Sequence, residues 1–115
     1  MTSYFGSERR RAPRNSQHSF GTVFVRQSDS WMAREVLVMD VTNDAVRLRA
    51  LPDLRDYEFC LQLDEDDTIY TPEIMRFERK HNSWEFTMNL GERQGREALA
   101  GLDVIYDFPR ANANR

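Results

Sequence analysis

The sequence of 115 residues is poor in the residue types on which much protein chemistry depends. A single cysteine, Cys60, cannot form an internal disulfide, and with only two histidines, His18 and His81, a structural zinc site lacks ligands. Lysine is almost absent: Lys80 stands alone beside fifteen arginines. No apolar run approaches the roughly 18 residues of a membrane span, and the first residues carry no apolar segment of the secretory kind. The expectation is a cytoplasmic chain without membrane insertion. No Gly-x-Ser-x-Gly, glycine-rich phosphate loop or His-Glu-x-x-His occurs, and Cys60 has no neighbouring base. Enzyme activity is therefore not expected, and neither a cofactor nor a metal site is indicated. The acidic run at 64–67 lacks the alternating ligands and the glycine of an EF-hand loop and reads as solvated.

The chain does hold enough apolar residues, 40%, for one domain with one core. Its charge is unevenly spread. The total is −3, but four arginines against Glu8 give residues 1–14 a net +3, which leaves −6 for the rest. An acidic body opposes broad tracking along DNA or RNA, which needs a basic face. A basic arm can still grip a small anion.

Residues 1–19 are polar, rich in arginine and without apolar period, and read as a flexible arm. Strand signals follow at 22–27, rich in β-branched residues, and at 34–41, whose nearly continuous apolar run is that of a strand covered on both sides or of a sandwich-core strand. Residues 46–50 and 59–63 alternate apolar and polar, as half-buried strands do. Residues 69–79 and 83–90 predict a long hairpin turning at 80–82, with Trp84, Phe86, Met88 and Leu90 on one face. At 94–106, Ala98, Leu99, Leu102, Ile105 and Tyr106 recur at helical spacing, and Pro109 stops the pattern. The expectation is an all-β fold with one helix: a small six-stranded antiparallel barrel over 20–109, its C-terminal helix capping an open end, and a frayed tail at 110–115. Trp31, Trp84, Phe77 and Phe86 are expected in the core or on the sheet surface.

Two constellations bear on function. In Glu8-Arg9-Arg10-Arg11-Ala12-Pro13-Arg14, Arg10 and Arg14 form an Arg-x-x-x-Arg. Such guanidinium groups either grip phosphate and the guanine edge or belong to a plain solvated tail. In Asp40-Val41-Thr42-Asn43-Asp44-Ala45, Asp40 and Thr42 stand two apart, on one side of an extended chain. They either meet a ligand edge or satisfy the backbone of a local turn.

In this order, and ahead of and inside a small barrel, the two elements resemble the PilZ domain family. The family pattern is an Arg-x-x-x-Arg before a six-stranded barrel, followed by Asp/Asn-x-Ser-x-x-Gly. Arg10 and Arg14 match the first motif and Asp40 opens the second, in which Thr42 replaces the serine and Ala45 the glycine. The resemblance implies a bacterial single-domain receptor for cyclic di-GMP. Arg10 and Arg14 would hold phosphate and guanine, Arg9 would add a contact, and Asp40, Thr42 and Ala45 would form the opposing turn. It further implies an arm that closes over the ligand and an effector protein that reads the change. The alternative is a PilZ-like adaptor that has lost nucleotide binding and acts through protein contacts. A nucleic-acid-binding barrel is the more distant class, disfavoured by the acidic body.

Overall fold

The computed structural model describes residues 19–63 and 67–106. The arm with Arg9, Arg10 and Arg14, the acidic residues 64–66 and the tail beyond 106 lie outside them. Nine strands form one sheet: β1 (Ser19–Arg26), β2 (Ser30–Val41), β3 (Ala45–Ala50), β4 (Phe59–Gln62), β5 (Ile69–Tyr70), β6 (Glu73–Lys80), β7 (Ser83–Asn89), β8 (Arg93–Gln94) and β9 (Asp103–Tyr106). The hydrogen-bonded order is β6-β7-β3-β2-β1-β4-β5-β8. All its pairings are antiparallel, while β9 adds in parallel to the start of β2. No helix among the described residues is long and apolar enough to cross a membrane.

The sheet does not close, so the expected six-stranded barrel is corrected to an open sheet of nine strands. Pro72 supplies the reason. Proline has no amide hydrogen to give a ladder, and it splits the expected strand at 69–79 into β5 and β6, which join opposite ends of the sheet. Only Thr71 and Pro72 separate them, a link of about 10 Å at most. The two ends are therefore held near each other at this link alone, a seam without a shared ladder. At this seam Gly91 has a φ of +73°, and a Cβ there would lie 2.6 Å from the Thr71 carbonyl oxygen, so only glycine fits.

Alternation decides what each strand buries. Val46, Leu48 and Ala50 of β3 and Phe86 and Met88 of β7 point inward with Val23, Val36 and Leu61, forming the larger, inner cluster. The opposite faces of β1, β2 and β4 are also apolar. Phe24, Trp31, Ala33 and Cys60 make a second cluster with Ile69 and Leu99. The expected strand at 34–41 is present within β2, but only one of its faces is buried there, through Val36 and Val38; the second cluster takes Trp31 and Ala33, ahead of that run.

The cover on the second cluster is not a helix. The expected helix at 94–106 is replaced by a single 3-10 turn, Arg96–Leu99, and then β9. Ala100 and Gly101 follow the turn at φ of 57° and 68°, and two successive left-handed residues end any right-handed helix. The apolar spacing is met another way. Leu99 is buried, Ala98, Leu102 and Val104 pack beside it, and the Trp31 Nε1–H donates to the Leu99 carbonyl at 2.8 Å. Ile105 and Tyr106, expected on the buried helix face, are half exposed.

Candidate ligand site at the turn between the second and third strands

A β-bulge prepares this turn. In the β2–β3 ladder Val38 faces Leu48, Asp40 faces Arg47 and Val41 faces Val46, so Met39 is the extra residue. The bulge turns the carboxylate of Asp40 to the outer face beside Arg47 and keeps Val41 on the inner side. Arg47 donates to Asp40 Oδ2 through Nε at 3.0 Å and also through Nη2. Its Nη1 donates to Glu85 Oε2 at 3.0 Å, while Arg49 Nη2 donates to Glu85 Oε1 at 3.2 Å. A row of alternating charge, Asp40-Arg47-Glu85-Arg49, thus crosses three strands.

The ionised states of this row support one another. The hydrogen bond to Asp40 leads in raising the Arg47 pKa, against the opposing effect of burial. Burial disfavours a charged Glu85, but the bonds from Arg47 and Arg49 and the nearby Lys80 outweigh it and hold the carboxyl below its usual value.

Thr42 does something different. Its hydroxyl oxygen accepts from the Ala45 amide at 3.1 Å and the Asp44 amide at 3.3 Å, while the Thr42 amide donates to the Ala45 carbonyl at 2.9 Å. This is the local satisfaction expected of a Ser/Thr turn. Ala45 is not among the residues at positive φ, so the absence of glycine there costs the turn no left-handed strain. The Leu90 amide donates to the Asp44 carbonyl at 2.8 Å and ties the turn to the end of β7. Asp40 and Thr42 are close in sequence but have separate partners.

Beside the turn lies an open cavity of about 230 Å³, lined by Ser19, Val38, Val41, Thr42, Asn43, Leu63, Tyr70, Leu90 and Arg93. Thr42 lines it; Asp40 does not. Ser19, the first described residue, stands at its edge. Arg93 on β8 faces Tyr70 of β5 in the ladder and makes no ion pair among the described residues. Its cationic head and the polar groups of Ser19, Thr42, Asn43 and Tyr70 converge on an apolar floor, as in a site for a polar or anionic ligand. Sequence reading does not find Arg93, Asn43 or Tyr70. Arg93 sits in a two-residue strand with no periodic signal, and only the seam between the sheet ends brings it to the turn.

Cys60 is not prepared as a nucleophile. Burial, with a smaller contribution from Glu58, pushes the Cys60 thiol up to about 11, so it stays protonated at neutral pH. Among the described residues no group of three or more His, Cys, Asp or Glu side chains is placed to hold a metal ion. In comparisons with known proteins, no family model, no curated protein and no solved structure matches the chain.

Proposed function

We propose that this chain is a PilZ-like cytoplasmic receptor that binds cyclic di-GMP at the mouth of the cavity beside Thr42 and passes the signal to an effector protein. The observation that carries the reading is the position of Ser19 on the rim of a polar cavity shared with Thr42, Asn43 and Arg93. Arg14 and Arg10 precede Ser19 by five and nine residues, a reach of up to about 17 and 30 Å. Their tether thus begins at the site. In this reading Arg10 and Arg14, with Arg9, grip phosphate and guanine, and Arg93 adds a second cation from the opposite wall. Asp40, whose carboxylate lies on the outer face and outside the cavity lining, accepts from a guanine edge where the ligand reaches over the rim, after exchanging Arg47 for the ligand, and Glu85 retains Arg47. An arm of net +3 closing on a ligand with two phosphates is consistent with the charge distribution.

One observation favours the alternative, a PilZ-like adaptor without nucleotide. Asp40 is already held by two Arg47 nitrogens, and the Thr42 oxygen by two amides. Calorimetric titration of cyclic di-GMP separates the readings. The receptor gives binding heat that falls by tenfold or more in affinity, about 1.4 kcal/mol, in Arg10→Ala, Arg14→Ala and Arg93→Ala. In Arg47→Ala affinity rises, because Asp40 no longer needs to be released. A folded wild type that gives no heat makes the chain an adaptor.

A further inference from the structure

β6 lies at one end of the sheet, pairing with β7 on one side and with no described strand on the other. Six of its eight residues are exposed, enough to make the strand a template for another chain. Met75 and Phe77 are 58% and 49% exposed, and Arg76 and Glu78 flank Phe77 with opposite charges.

We propose that β6 pairs antiparallel with β6 of a second copy of this chain, about a two-fold axis through Phe77. In that register each Arg76 faces Glu78 of the other copy, and Phe77 faces Phe77. Directly opposite side chains in such a ladder stand about 4.5–5.5 Å apart at Cβ, within reach of ion pairing and ring contact. The symmetry makes the Arg76–Glu78 contact occur twice, on either side of the single Phe77–Phe77 contact at the axis. Neighbouring registers lack this match. A shift of the axis to Arg76 or to Glu78 sets like charge on like charge. An axis between Phe77 and Glu78 puts Arg76 against Arg79, and one between Arg76 and Phe77 leaves Glu78 against Met75.

The strand's own surroundings favour the match. Glu78 faces Glu85 across the β6–β7 ladder, a like-charge pair bridged by Lys80 at 3.3 and 3.9 Å. Arg76 makes no ion pair among the described residues. The partner's Arg76 relieves the first condition and gains the contact missing from the second. The Phe77 ring is already set in place: the Arg55 guanidinium lies 3.8 Å over its centroid, and Trp84 packs against it at 6.3 Å. Little side-chain freedom remains to be lost when a second ring meets it.

Sedimentation velocity of the full chain, from micromolar to millimolar concentration, tests the proposal. The wild type is expected to form a reversible dimer. Arg76→Glu, which sets two carboxylates opposite each other twice, raises the dissociation constant about tenfold or more, and Arg76→Glu combined with Glu78→Arg restores the dimer. Circular dichroism confirms that each variant is folded, and Arg76→Ala serves as a milder variant with a weaker effect in the same direction. A wild type that stays monomeric throughout, a dimer indifferent to Arg76→Glu, or a double variant that fails to recover overturns it.

Discussion

The two apolar clusters share β1, β2 and β4 but are built in different ways. The inner one is made almost wholly by strands whose alternation directs Val46, Leu48, Phe86 and Met88 to a common interior. The outer one takes the reverse faces of β1, β2 and β4 and depends on a late segment, the turn Arg96–Leu99 and β9, to cover Trp31, Phe24 and Cys60. One cluster follows from local pattern. The other requires a segment some 70 residues distant to return and lie on it, held by the Trp31–Leu99 hydrogen bond. The inner cluster should therefore fail globally, and the outer one locally.

Phe86→Ala should have the largest effect. A fully buried ring removed from the inner cluster costs about 3–5 kcal/mol, and urea unfolding should show one shifted transition. Trp31→Phe should cost about 1–3 kcal/mol, because the Leu99 carbonyl loses its donor and the packing thins. The loss should be uneven. Cys60 should become reactive to thiol reagents at neutral pH well before the inner strands exchange their amides, since its protonated thiol must await opening. Ala100→Gly should stabilise by about 1 kcal/mol or less, by relieving the left-handed residue in the cover. Tight linkage of the two clusters would show instead as loss of both in a single step.

The smallest effect tests the charged row on the outer face. Glu85 has a folded pKa below its ordinary 4.5, so the stability it contributes is present above that pH and is lost as pH falls through the lowered value. Glu85→Gln should flatten this acid limb. Arg47 is 42% exposed and Arg49 37%, so the change should stay under about 1 kcal/mol and shrink with salt.

What was legible in the sequence follows the same division. The alternation of β3 and β7 is plain at 46–50 and 83–90, because each strand has one buried and one wetter face. The apolar run at 34–41 marked β2 as a strand but not its two covers, since Val36 and Val38 are buried there on one face and the second cover falls on Trp31 and Ala33, ahead of the run. The nature of the second cover was not legible, because Ala98, Leu99 and Leu102 satisfy both a helix and a turn leading into a strand. Only the left-handed pair Ala100-Gly101 separates the two, and alanine gives no sign of such a conformation. The Asp40–Ala45 turn was legible as a turn. The separation of its two side chains was not, since it depends on the bulge at Met39, and Arg93 reaches the cavity only through the sheet topology.

The parallel pairing of β9 with β2 also sets an order of events during synthesis. Ser30 meets Asp103 and Trp31 meets Val104, so β2 must wait for a partner made some 70 residues after it. The strands from β1 to β7 can collapse as they emerge, but the tryptophan side of the sheet stays bare until the turn Arg96–Leu99 arrives. A nascent chain stalled before residue 99 would present Trp31 and Phe24 to its surroundings. In that interval the chain is most exposed to chaperones and to mispairing.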